Sequence, residues 1–356
     1  MRLSLISALL LVTALLIIPL TTISAQTSTV RVIPAATSTI PGATTKAAFN
    51  TVWATASLPS TVANATTAAT TPATTANLPT LVNVAPNATK PAWDTNPVVQ
   101  ITSPSRVEER SFTSSTLGRT MSYYIYLPAG YDDDPTVQYP TLYLLHGIGG
   151  NADEWLGYGV REAADQLMGN GTVHPFIIAL PHGEQGYWID QVDGGPQWTT
   201  YVVDDVVPDI DEHYRTLAGR DDRAIGGLSM GAHGALQIAL NHPDTFGIVG
   251  AHSPSFRPRN EVQSYFGNDA EFALRDPTQL VASHPEIART LKIWLDFGVQ
   301  DGFRTGQLVF EQALVDNNIQ HEFHEGTGDH SNIYWTAHLG EYLSFYDTSF
   351  AAFTAP

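Results

Sequence analysis

The sequence predicts an α/β fold over residues 98–356, with a mostly parallel central sheet of about eight strands and helices on both faces. Three observations carry this. From Val107 onward, strand-like and helix-like apolar segments alternate, the order that sets helices on either side of a sheet. The run Tyr139-Pro-Thr-Leu-Tyr-Leu-Leu-His146 is almost continuously apolar, as a strand covered on both faces must be, with Pro140 confined to its first position. Lastly, Gly227-Leu228-Ser229-Met230-Gly231 stands between a strand-like and a helix-like run.

In chain order, the segments near 107–112 and 121–127 alternate polar and apolar residues and read as an antiparallel edge hairpin. Further strands are expected near 140–146, 174–181, 222–228, 246–251, 291–297 and 320–325. Helices are expected near 159–168, 199–213, 230–241, 303–317 and 333–346. Pro208 should kink the second of these or start a new helix there. The strand ending at Leu228 and the helix from Ala232 to Leu240, closed by Asn241-His242-Pro243, give the serine pentapeptide the context of a nucleophile elbow. In such an elbow the serine occupies a strained turn and glycines flank it, because a Cβ there would strike neighbouring backbone.

Ahead of this domain, Met1-Arg2, the apolar stretch Leu3 to Leu20 and Thr21-Thr-Ile-Ser-Ala25 read as an export leader over 1–25, which predicts a secreted or cell-surface protein. Left uncleaved, the same stretch would tether the chain to a membrane. Residues 26–97 carry only Arg31, Lys46, Lys90 and Asp94 as charged groups and are dominated by Thr, Ala and Pro. With few large apolar side chains to offset chain entropy, this tract is expected to be a disordered linker. Zero cysteines exclude thiol catalysis, disulfides and thiolate metal sites. Four of the 17 basic residues and one of the 35 acidic ones precede residue 98, so the remainder carries 13 against 34, a net charge of −21. That charge argues against nucleic acid and polyanionic partners.

Five blocks now stand in order: Tyr139 to Gly150, Asp211-Glu-His-Tyr-Arg-Thr216, Asp222-Arg-Ala-Ile-Gly-Gly-Leu-Ser-Met-Gly231, Leu295-Asp-Phe-Gly-Val-Gln-Asp301 and Gly328-Asp-His330. Over about residues 105–350 the chain resembles α/β-hydrolases of the esterase-D-like group, which includes feruloyl and acetylxylan esterases, S-formylglutathione hydrolases and mycolyltransferases. Ala232 departs from the pattern, since many members carry another glycine after the elbow.

Ser229 is the expected nucleophile, and a serine hydroxyl needs a base to take its proton. Among twelve histidines, His330 follows the last strand in the loop Gly326 to Ser331, where the resemblance places the base. His321 and His324 lie within that strand, and His233 and His338 on helices. The carboxylate that orients the imidazole should sit just beyond the strand near 291–297. Asp301, in the loop after it, is preferred over Asp296 inside it, and the resemblance points to the same aspartate. The amide of Met230, at a helix start, should be one oxyanion donor. The resemblance implies the amide of Ile148, in His146-Gly-Ile-Gly-Gly150, as the other. Trp155, Trp188, Trp198 and Trp335, with Tyr158 and Tyr187, lie in segments next to these loops and are candidate substrate contacts.

No cofactor or metal is implied. His321-Glu-Phe-His324 lacks the helical spacing of a zinc motif, and Asp132-Asp-Asp134 lacks a calcium loop. The resemblance therefore implies a serine carboxylesterase acting through an acyl-enzyme on small or polysaccharide-linked esters, feruloyl or acetyl groups first. The alternatives are an acyltransferase of the mycolyltransferase type, with the same triad, and a non-catalytic surface binding module.

Overall fold

The alternating pattern from Val107 onward resolves into eight strands of one nine-stranded sheet in a computed structural model that describes residues 31–32 and 102–351. The expected leader and nearly all of the Thr/Ala/Pro tract lie outside the described residues. The strands are β1 (Arg31–Val32), β2 (Arg106–Ser114), β3 (Arg119–Leu127), β4 (Thr141–Leu145), β5 (Ile177–Pro181), β6 (Arg223–Leu228), β7 (Ile248–His252), β8 (Lys292–Gly298) and β9 (Glu322–Gly326), in the order β1-β9-β8-β7-β6-β4-β5-β3-β2. From β5 through β9 all neighbours run parallel, while β2 and β3 form the antiparallel edge. Arg31 and Val32, within the tract expected to be linker, pair antiparallel with Phe323 and Glu322 and cover what would otherwise be an open edge of β9.

The helices are α1 (Glu154–Gly157), α2 (Val160–Gly169), α3 (Trp198–Thr200), α4 (Val207–His213), α5 (Met230–Asn241), α6 (Asp269–Ala273), α7 (Pro277–Ser283), α8 (Pro285–Ala288), α9 (Arg304–Asp316) and α10 (Asn332–Ser349). Between α3 and α4 the chain winds through a widened i→i+5 stretch, Tyr201–Val206. Pro208 in the first turn of α4 supplies no N–H and crowds the turn before it, so the expected interruption takes the form of this wider winding.

Every residue of β4 is buried, and its side chains alternate between two cores. Tyr143 and Leu145 join the layer with α4, α5 and α9, and Leu142 and Leu144 join the layer with α2 and α10. Burying each such side chain is worth roughly 1.5–3 kcal/mol, which is how a sheet without disulfides keeps its register.

Helix α5 is buried along almost its whole length, His233 included. The Nε2 of His233 faces the Arg275 carbonyl at 3.0 Å and its Nδ1 has no partner among the described residues, so a second proton would have no acceptor there. Burial pushes this imidazole down to about 4, against a smaller upward pull from the Arg275 carbonyl. Between an ordinary value of 6.5 and about 4 the unfolded chain binds a proton that the native one refuses, so stability falls as pH drops through that window. Urea denaturation at pH 7 and pH 4.5 should show that His233→Gln removes roughly 2 kcal/mol of this acid loss. Equal losses in both proteins would refute it.

Candidate active site

The strand-turn-helix junction imposes a backbone on Ser229 that its own side chain disfavours, with φ 55° and ψ −115°, a strain of about 1–3 kcal/mol. Packing on both sides holds it there. A Cβ at Gly227 would strike the backbone of Gly231, and one at Gly231 would strike the Leu145 carbonyl. Ser229 N–H donates to the His252 carbonyl (3.0 Å), and its own carbonyl accepts from Ser255 N–H (3.1 Å).

Two loops bring the base and the acid together. Val299 N–H donates to the Gly326 carbonyl (2.8 Å), and Gln300 N–H to that of Gly328 (2.9 Å), so the chain after β8 is zipped to the chain after β9. A Cβ on Gly298 would collide with Gly328, which makes glycine necessary at this approach. The zipped loops set His330 Nδ1 2.9 Å from Asp301 Oδ2 and His330 Nε2 2.7 Å from Ser229 Oγ. Asp301 is buried and also accepts from Phe303 N–H at Oδ1 (2.7 Å) and from Gln307 Nε2 at Oδ2 (3.1 Å). Burial alone would raise this carboxyl, yet the bonds from His330, the Phe303 amide and Gln307 together hold it below the usual carboxylate range. Asp296 is elsewhere: it accepts from Trp294 Nε1, His252 Nδ1 and Tyr342 Oη at 2.7, 2.7 and 2.8 Å, within the layer against α10.

The loop after β4 leaves one amide unspent. Gly147 N–H donates to Glu154 Oε2 (2.7 Å), Gly149 N–H to Gln185 Oε1 (2.9 Å) and Gly150 N–H to the Gly147 carbonyl (3.2 Å), whereas Ile148 N–H has no acceptor among the described residues. Met230 N–H, the first of α5, has none either. Both residues border the serine, Ile148 as a wall of its cleft and Met230 as its chain neighbour. The cleft measures about 340 Å³, and Glu154, Tyr158, Tyr187, Ser255, Arg257, Phe303 and Trp335 also line it.

Comparison with known proteins places this chain in a family. Residues 114–346 match the Esterase family, described as "Putative esterase". The chain belongs to this esterase family. It is 30% identical over 151 residues to an endo-1,4-beta-xylanase/feruloyl esterase of Xylanibacter ruminicola, covering 40% of this chain and 21% of that protein. It is 26% identical over 253 residues to an esterase of Mycobacterium tuberculosis, covering 62% of this chain and 54% of the other. Among solved structures, a ferulic acid esterase superposes with a TM-score of 0.63 at 25% identity, covering 70% of this chain and all of that one. The chain thus spans from about a fifth to about half the length of the curated relatives named here. The fold is that of the α/β-hydrolases, in the esterase-D-like group.

Three of the four tryptophans expected at the substrate serve the scaffold of this esterase-family domain instead. Trp155 Nε1 donates to the Leu145 carbonyl and Trp188 Nε1 to that of His146, each at 3.1 Å. These carbonyls lie at the end of β4 and just past it, and a buried indole N–H needs an acceptor of this kind. Trp198 packs edge-on against Trp188 and Tyr201, within the core. Only Trp335 of the four lines the cleft, edge-on to the His330 ring at 5.2 Å, with Tyr158 stacked on it at 6.1 Å. Arg257, Phe303, Ser255 and Gln307 were not foreseen. They come from a segment without periodicity, 253–290, and from the start of α9, and no motif marks them.

Proposed function

We propose that this domain hydrolyses carboxylic esters through an acyl-enzyme on Ser229. The observation that carries the reading is the continuous line Asp301–His330–Ser229, with contacts of 2.9 and 2.7 Å, beside two unspent amides. Ser229 Oγ attacks the ester carbonyl carbon while His330 Nε2 takes its proton, and the carbonyl oxygen, now an anion, turns to the amides of Ile148 and Met230. Collapse breaks the bond to the alcohol oxygen, which leaves with the proton from His330. Water then attacks the acyl carbon, gives its proton to His330, and releases the acid as Ser229 recovers its hydrogen. Asp301 stays ionised throughout and holds the imidazole with its proton on Nδ1.

The substrate class we assign is an aromatic acyl ester of the feruloyl type on a polysaccharide. Two of the relatives bear feruloyl or ferulic acid esterase names, and Tyr158 and Trp335 give the cleft aromatic walls away from the larger cavity. The leader-like residues 1–25 agree with work outside the cell, where such polymers lie. A fluorophosphonate probe tests the serine chemistry directly. Covalent labelling should map to the peptide holding Ser229 and be blocked by prior incubation with an ester substrate, and an unlabelled protein would reject the proposal.

A further inference from the structure

The cleft at Ser229 shares two of its lining residues, Arg257 and Phe303, with a larger cavity of about 770 Å³ that continues along Phe256, Phe272 and Val309. Phe303 lies against the His330 ring, with centroids 4.8 Å apart. In ester hydrolysis the histidine must hand its proton to the departing alkoxide, so the alcohol leaves on the histidine's side. The larger cavity opens on that side, through Phe303.

At the junction of the two spaces stands Arg257, the one Lys or Arg among the described residues that line the Ser229 cleft. Its Nε donates to Tyr187 Oη at 2.8 Å, and its guanidinium lies over the Phe303 ring, 5.1 Å from the centroid. These two contacts fix its plane while leaving both Nη groups without an acceptor among the described residues. Arg259, on the wall of the same cavity, is by contrast paired with Asp269 at 2.9 Å. The nearby carboxylates are engaged or at the surface: Glu154 accepts from Gly147 and Tyr158, Asp276 caps α7 through the Gln279 amide, and Glu261 is exposed. A guanidinium held by its Nε and one face, with four N–H bonds open, is the geometry that receives a carboxylate through two parallel hydrogen bonds.

We infer that Arg257 reads a carboxylate on the alcohol half of the substrate, so that the enzyme prefers esters of an acid-bearing sugar, a hexuronic acid, over those of a neutral sugar. The inference rests on the ester-hydrolysing reading of Ser229 and adds the class of alcohol. One carboxylate, not a polyanion, is what a single guanidinium can offset in a domain of net charge −21.

The test uses two esters of one acid, with a hexuronic acid and with the matching neutral hexose, and reads the ratio of their kcat/KM values. The native protein should favour the uronate ester by roughly tenfold, the size of a charge-assisted pair. Arg257→Gln should bring the ratio close to unity, and Arg257→Lys should keep part of it; any rate loss common to both esters cancels. A native ratio near unity, or one unchanged by Arg257→Gln, overturns the inference. Failure of the underlying reading looks different, as a native protein that hydrolyses neither ester. Calorimetric binding of the free hexuronic acid then decides: weakening in Arg257→Gln supports the site, and equal binding overturns it.

Discussion

Replacing Ser229 with alanine should lower kcat/KM for short p-nitrophenyl esters by a factor of about 10⁴ or more, because the change removes the attacking oxygen that His330 Nε2 faces. What remains is the contribution of the unspent amides and of binding, which still exceeds the rate in water. The fold should survive. The strain at φ 55° belongs to the backbone and is the same for Ser and Ala, and the bonds that pin it, to His252 O and from Ser255 N, involve no side-chain atom of Ser229. Only the contact with His330 Nε2 is lost, and that ring is partly open to solvent. The melting temperature should therefore change by no more than a few degrees. A residual rate within tenfold of the native one, in a folded protein, would remove Ser229 from the mechanism.

The parts of this site that are legible in the sequence share one property: the backbone itself demands them. Glycines at 227 and 231 are needed because a Cβ would hit the main chain, so their spacing alone specifies the turn. Period and length are enough for β4 and α5. Side-chain direction is harder to read. Asp296 and Asp301 lie five residues apart, and their separation into different surroundings depends on strand parity, which sends Asp296 with Trp294 toward α10. The tryptophans mislead for a related reason, since a residue beside a functional loop in sequence can still point beneath it. Residues 253–290 give no periodic signal at all. They fold into short helices that depend on local caps, Asn268 with Glu271 for α6 and Asp276 for α7, yet the same segment delivers Phe256 and Arg257 to the cleft and cavity.

Asp301→Asn should be the next most damaging change, a loss of about 10³–10⁴ in kcat with little change in KM. The cause is one of hydrogen-bond polarity. At present both oxygens of Asp301 accept, Oδ1 from the Phe303 amide and Oδ2 from His330 Nδ1 and Gln307 Nε2. An asparagine must turn its NH₂ toward one of these groups. Facing the Phe303 amide, it opposes donor to donor in a buried place; facing His330, it opposes Gln307 and obliges Nδ1 to accept, which moves the ring proton to Nε2 and points it at Ser229. A histidine in that tautomer cannot take the serine's proton. The same carboxylate links the site to acid stability. Its folded value lies below the ordinary 3.8, so the unfolded chain binds the proton first, and the stability it adds is complete above that value and lost as pH falls through the lower one. The Asn variant has no such term, so its denaturation curves should lose less stability than native ones between pH 5 and about pH 2, whereas equal losses would mean that this carboxylate is not held in its ionised form by its three donors.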